Sequence, residues 1–334
     1  MTGTAPSAPD AAEPGDATYA DATAPPAAGP QPGATKRNVL MVTHTGRVEA
    51  RDASHKVAHW LAAAGIGVRV LADEVDGLEF GPGAWIVPDD RHAVEDCELV
   101  VVLGGDGTLL RGAELARAAD IPMLGVNLGR VGFLAEAELE DLHEVVGRIV
   151  DQRYTVEERM TLDATVLLDG EVIWRTWALN EASIEKRSRE RMIEVLIEID
   201  GRPLSRWGCD GVVLATPTGS TAYAFSGGGP VVWPEVEALL LVPISAHALF
   251  ARPLVAAPTS LLAIEIEDGH VGAEGTGVLW CDGRRTFELP AGSRVEVRRG
   301  ERPVRLARLH DAPFTDRLVA KFALPVNGWR ARHP

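Results

Sequence analysis

Long apolar runs are missing from this 334-residue chain, and none approaches the roughly 20 residues needed to cross a bilayer. The N-terminus also lacks a basic start followed by a short apolar core, so neither export nor membrane spanning is expected. Cysteine is scarce. Cys97, Cys209 and Cys281 lie far apart and form no C-x-x-C pair, which argues against a disulfide framework or a cysteine-rich zinc site. Each is expected to be a small buried hydrophobe in a reducing, cytoplasmic setting. Positive charge is short as well. Lys and Arg number 33 against 48 Asp and Glu, and the resulting net charge of −15 is wrong for a general nucleic-acid binder, which must neutralise phosphates. A local basic pocket for a small phosphorylated ligand is compatible with that balance.

What is present is an ordinary globular composition, 46% hydrophobic and 24% charged, in a chain long enough for two domains. Residues 1–36 stand apart. They are rich in Ala, Pro, Gly and Asp and hold almost no large apolar side chains, so they are expected to form a disordered tail. Order is expected from Val39-Leu40-Met41-Val42, followed by the turn Thr43-His44-Thr45-Gly46. Residues 49–64 place Val57, Trp60, Leu61 and Ala64 at helical spacing and end at Gly65. Residues 68–71 and the wholly apolar 99–103 read as strands, 108–119 as a helix and 121–126 as a further strand. Such alternation indicates a parallel α/β domain. After about residue 155 the texture changes to short strand-like runs, at 164–168, 172–179, 193–199, 211–215, 261–266 and 295–298. Asp169-Gly170, Asp200-Gly201 and Asp282-Gly283 supply turn signals among them. The divisions expected are 1–36, an α/β domain at 37–154, a β-rich domain at 155–290, and a segment at 291–334 that returns to the first domain. Phe314, Leu318, Phe322 and Leu324 form its amphipathic face.

The sharpest chemical feature is Gly104-Gly105-Asp106-Gly107, where the apolar strand runs through a glycine turn straight into a helix. Glycines let the backbone approach a ligand, and free N–H groups at a helix start attract phosphate. An acid there repels the anion unless it acts as a general base or as a magnesium ligand. The plainer alternative is a tight turn in which Asp106 caps the helix. Neither a Walker A loop nor a G-x-G-x-x-G fingerprint is present. A second cluster runs from Asp210 through Thr216-Pro217-Thr218-Gly219-Ser220-Thr221-Ala222-Tyr223-Ala224-Phe225-Ser226 to Gly227-Gly228-Gly229. Its small and hydroxylated residues suit a sugar or phosphate, whereas its apolar members suit a freely solvated loop poorly. The pair Asn180-Glu181, ending a strand-like run, offers groups for a ribose diol, though such pairs are common on surfaces.

Together these clusters closely resemble the NAD kinase family. Matching stretches include residues 127–134 (Asn-Leu-Gly-Arg-Val-Gly-Phe-Leu), Pro243 to His247 with Arg252-Pro253-Leu254, and Leu279-Trp280-Cys281-Asp282-Gly283, and the likeness covers roughly residues 38–330. It implies a Rossmann-like parallel sheet in an N-terminal α/β domain, then a β-rich, β-sandwich-like domain, with the active site between them. The implied reaction transfers the γ-phosphoryl group of ATP, or of polyphosphate, to the 2′-hydroxyl of the adenosine ribose of NAD.

By the same resemblance Asp106 is the proton acceptor, Gly107 adjoins the nucleotide and Arg111 supplies a basic contact one turn into the helix. Asn180, Glu181, Asp210, Thr221, Ala222, Tyr223, Ala224, Phe225 and Ser226 match the nucleotide-binding residues, and Arg191 matches a basic contact made across a subunit boundary. Gly208 departs from the pattern by standing where relatives carry a basic residue, a role left to Arg206 or a neighbouring subunit. No side chain is expected to hold a metal on its own account; Mg2+ or another divalent cation is expected with ATP. The implied partners are NAD and the phosphoryl donor, within a homodimer or homotetramer, with no nucleic acid and no membrane. His44 and His247 are read as turn and hydrogen-bonding residues. The rivals are a lipid kinase of the diacylglycerol or sphingosine type, a non-catalytic dinucleotide-binding regulator, and a dehydrogenase, which the absent fingerprint disfavours.

Overall fold

The computed structural model describes residues 37–75, 80, 83–128, 132–267, 277–310 and 313–326. The expected tail at 1–36 lies outside these residues, as does part of the 127–134 motif. The first sheet is built on fully buried, β-branched-rich strands, Asn38–Thr43, Gly67–Leu71, Leu99–Gly104 and Met123–Asn127, which pair in parallel. Burial on both faces is the reason these runs show no polar alternation. Ala84–Val87 adds a parallel edge that the sequence reading did not contain, because its side chains are only half-buried. The helix Val48–Ala63 covers one face together with Leu142–Val150. The helix Asp106–Ala119 packs on the opposite face.

Two strands from later in the chain complete this sheet. Val304–Arg308 pairs in parallel with Met123–Asn127 and antiparallel with Thr155–Arg159. Residue 155 therefore does not begin the β-rich part, as the texture change had suggested; its strand hydrogen-bonds at the edge of the first sheet. The helix Phe314–Phe322 follows, and its Phe314 and Phe322 lie 5.7 and 6.0 Å from Phe133 between ring centroids.

The intervening chain forms two antiparallel six-stranded sheets. One runs through Glu181–Lys186, Gly211–Ala215 and Leu239–Ile244. The other runs through Leu162–Leu168, Ile193–Ile199 and Arg294–Arg299. Inward residues of both share one core, with Val166, Val195, Ile197 and Ile264 from one sheet meeting Ile184, Val212, Leu214 and Leu279 from the other. This is a β-sandwich. Asp200-Gly201 does turn a hairpin, joining Ile193–Ile199 to Arg202–Cys209, and both residues are left-handed at φ 53° and 71°. The described residues of the α/β layer and of the sandwich belong to one compact unit. Among the described residues no helix is long and apolar enough to cross a membrane.

Candidate active site

In the first sheet the strand Leu99–Gly104 lies between Asn38–Thr43 and Met123–Asn127, at the point where the strand order reverses direction. Crevices outside the carboxyl ends of strands at such a switch point are where open α/β sheets bind ligands. Gly104-Gly105-Asp106-Gly107 occupies that end. Gly105 is the helix N-cap and no side chain caps it, so Asp106 is the first helical residue and does not serve as the cap. Its residue is exposed, and there is open space where side chains at Gly105 and Gly107 would project. The carboxylate is thus left over by the local structure. On one side it is confined by Gly132, where an added Cβ would come within 2.8 Å of Asp106 Oδ1.

Arg111 is placed differently from expectation. One turn further along, its guanidinium is held by Asp73 at 2.6 Å, Asp89 at 2.7 Å and Glu74 at 3.1 Å. Three carboxylates already satisfy it, so in this arrangement it presents no unpaired charge to a phosphate. Glu74 is 1% exposed and accepts the Thr43 N–H at 2.6 Å; burial pushes its carboxyl up to about 7, against the pull of that N–H and of Arg111.

The second wall is the corner Leu179-Asn180-Glu181. Leu179 sits in the same core cluster as Leu109, Leu110 and Ala113 of the Asp106 helix, which brings the corner beside that helix. The backbone of the corner is held by Asp282, whose carboxylate accepts N–H groups from Leu179 at 2.9 Å, Asn180 at 2.7 Å and Glu181 at 3.3 Å. In the sequence Asp282 carries only an Asp-Gly turn signal, which gives no hint of this longer reach. Glu181 is 8% exposed and accepts the Tyr223 N–H at 3.4 Å. Burial, reinforced by the negative charge of Asp282, pushes the Glu181 carboxyl up to about 8. Near neutrality it is therefore largely protonated, able to donate one hydrogen bond as well as accept.

The segment from Thr216 onward is folded down onto that corner. The Thr216 hydroxyl donates to Leu179 O at 2.6 Å and accepts from Gly219 N at 3.0 Å, while Thr216 N donates to Asn180 O at 2.9 Å. Gly219 packs so closely that a Cβ would lie 2.0 Å from Asn180 O. Ser220 is buried and bonds the Val232 backbone in both directions. Thr218–Thr221 makes one 3-10 turn and Tyr223–Ser226 a single helical turn. Thr221, Ala222 and Tyr223 are half-buried, and Phe225 and Ser226 are exposed. Ala224 is fully buried against Val213, Ala215, Leu240 and Val242, which leaves its side chain no part in ligand contact. Phe225 meets Phe322 in a tilted ring pair at 4.8 Å between centroids, so the helix Phe314–Phe322 touches both Phe133, next to Gly132, and this segment.

Asp210 lies between the strands Arg202–Cys209 and Gly211–Ala215. Its carboxylate pairs with Lys186 at 2.6 Å, and that hydrogen bond, with Ser245 and His247 nearby, holds it below the usual carboxylate range. Lys186 is a partner that the sequence reading missed, since it lies 24 residues upstream and only the antiparallel register unites them. Gly208 is paired with His247, whose N–H donates to Gly208 O at 2.8 Å. Arg206 is engaged by Glu267 and so does not stand free to replace a basic residue there. Arg191 lies exposed in the connection before Ile193–Ile199, whose first residue pairs with Cys209, next to Asp210.

Residues 39–154 match the family described as ATP-NAD kinase N-terminal domain, and residues 179–309 that described as ATP-NAD kinase C-terminal domain. "NAD kinase 2" of Streptomyces coelicolor is 62% identical over 295 residues, covering 88% of this chain and 97% of that protein. "NAD kinase" of Rhodococcus opacus is 56% identical over 313 residues, covering 90% and 97%. Among solved structures, yeast NADH kinase complexed with NADH superposes at a TM-score of 0.79 with 24% identity, over 88% of this chain and 89% of that one. An NAD kinase from Archaeoglobus fulgidus in complex with ATP superposes at 0.64 with 23% identity, over 86% and 98%. At those identities the structural likeness speaks to fold alone.

Proposed function

We propose that this chain, which belongs to the NAD kinase family, transfers the γ-phosphoryl group of ATP or polyphosphate to the 2′-hydroxyl of the adenosine ribose of NAD, with Asp106 as the base. The observation that carries the assignment of Asp106 is its exposed carboxylate at the first residue of a helix that it does not cap. A ribose hydroxyl is a poor nucleophile near neutral pH and gains from a positioned proton acceptor. The helix N-terminus beside it, including the Gly107 backbone, suits phosphate oxygens. Asn180 and Glu181 serve the ribose diol, and Glu181, largely protonated, donates one of those bonds. Asp210, held ionised by Lys186, and the exposed parts of Thr221 to Ser226 take further polar groups of the dinucleotide. Arg111 reaches phosphate only after leaving Asp73, Glu74 and Asp89.

Phosphoryl transfer depends on orientation and charge neutralisation, so ATP is used with Mg2+ or another divalent cation as part of the substrate. The three cysteines are free and buried, which suits a reducing cytoplasm. Leu249 and Phe250 are exposed apolar side chains of the β-rich part, and they support a homodimer or homotetramer in which Arg191 meets a neighbour's site.

The test is a panel of donors and acceptors: ATP or polyphosphate with a divalent cation, and NAD, NADH or diacylglycerol. NADP or NADPH formation is expected. Phosphorylation of the lipid with none of the dinucleotide would overturn the reading.

A further inference from the structure

We propose that Arg285 is a positioning residue for this reaction, tying the helix that begins at Asp106 to the Leu179–Glu181 corner. The inference rests on the reading that Asp106 and Asn180-Glu181 carry the chemistry. Asp282 stands at the left-handed first position of its turn, φ 54°, and is 5% exposed, so its carboxylate meets the corner's N–H groups away from water. Arg285, three residues on, donates from Nη2 to Asp282 Oδ2 at 2.7 Å and to Trp177 O at 2.8 Å. Its Nη1 pairs with Glu114, which lies on the Asp106 helix. The guanidinium lies 4.5 Å from the Trp177 ring centroid, and Arg117 of the same helix lies 4.3 Å from it. One planar fork therefore touches three structures at once: the Asp106 helix, the strand leading into the corner, and the carboxylate that holds the corner.

Neither Arg285 nor Glu114 has been placed against substrate. What they set is the relative position of a base and the hydroxyl it must meet. A misplacement of about 1 Å between reacting groups is enough to cost about 10²-fold in rate. Loss of Arg285 would also leave the buried Asp282 charge without its cation, a strongly unfavourable state. Protonation or rotation of Asp282 would relieve it, and either disturbs the N–H groups of residues 179–181.

The test is steady-state kinetics of Arg285→Ala, Arg285→Lys, Glu114→Gln and the double variant Glu114→Gln/Arg285→Ala, with circular dichroism to verify the fold. Arg285→Ala is expected to lower kcat/KM for NAD by about 10- to 100-fold, through both kcat and KM. Arg285→Lys, which keeps the charge without the fork, is expected to recover only part of it. Glu114→Gln is expected to lower kcat while leaving KM for NAD near its starting value, because the Asp282 link survives. The double variant is expected to lose less than the sum of the two single losses, because both remove the Glu114–Arg285 pair; only Glu114→Gln also removes the pair that Glu114 makes with Arg284 at 3.1 Å. Wild-type kcat and KM in folded Arg285→Ala would overturn the proposal, as would additive losses in the double variant. If Arg285→Ala fails to fold, Arg285→Lys and Glu114→Gln decide: equal loss of kcat and KM effects in both would refute the split. Failure of the underlying site reading is separately visible, because Asp106→Asn would then retain turnover whatever Arg285 does.

Discussion

Asp106 stands at the exposed start of a helix, unused by the cap, whereas Glu181 on the neighbouring wall is 8% exposed and rests on a backbone held by Asp282. The Thr216 hydroxyl and the close approach of Gly219 pin that second wall further. The contrast teaches how the two walls divide their tasks. On the proposed reading Asp106 is a base, which must be free to take a proton, and its carboxylate caps no helix. On the same reading residues 179–181 are a binding corner, which must hold its shape before the ligand arrives, and its backbone N–H and C=O groups are engaged by Asp282 and Thr216. Positioned groups of this kind keep down the entropy lost on binding.

The largest effect that tests this contrast is expected at Asp106. Asp106→Asn should lower turnover by about 10²-fold or more, the scale for losing a general base, with NAD affinity and thermal stability little changed. Retained turnover would remove Asp106 from its role; a large loss of stability would mean that its carboxylate is structural after all. Gly219→Ala probes the other wall. A Cβ there meets the Asn180 carbonyl at 2.0 Å, backbone against backbone, so the corner must shift. A loss of about 1–3 kcal/mol in stability is expected from overpacking, with KM for NAD raised more than kcat is lowered. An unchanged melting temperature and KM would show that the corner is not rigid.

The smallest effect concerns pH. The folded Glu181 carboxyl titrates at about 8 against an ordinary 4.5. The folded state then binds the proton more tightly, so this group's contribution is fully present below pH 4.5 and is lost as pH rises through about 8. Glu181→Gln should remove that loss, so its melting temperature should gain on the wild type's between pH 5 and 8. Parallel curves for the two proteins would break the prediction. Glu74, pushed up to about 7, gives the same sign over a narrower window, and Glu74→Gln serves as a comparison.

Much of the molecule was legible from local signals. Apolar runs announced the buried parallel strands, the glycine turn before a helix announced the Asp106 end, and Asp200-Gly201 announced its hairpin, because each feature is decided within a few residues. The edge strand Ala84–Val87 was not legible, since a half-buried edge carries no strong pattern. Nor was the return of Val304–Arg308 to the first sheet at the level of its register, which pairs it with residues about 180 and 150 positions earlier.

The site divides along the same line. The motifs around Asp106, Asn180-Glu181 and Asp210 through Ser226 resembled one family, and that family is the one whose models match this chain. Only the folded chain decided which charges are spent and which are left over. Arg111, a free cation by its place on a helix, is neutralised by Asp73, Glu74 and Asp89, which approach from outside its own helix. Asp282, a turn residue by its Gly neighbour, proved to hold a corner about a hundred positions away. A sequence declares which side chains exist; whether a charge is paired, buried or free depends on neighbours that long-range contacts supply, and electrostatic energies change steeply with that distance and burial.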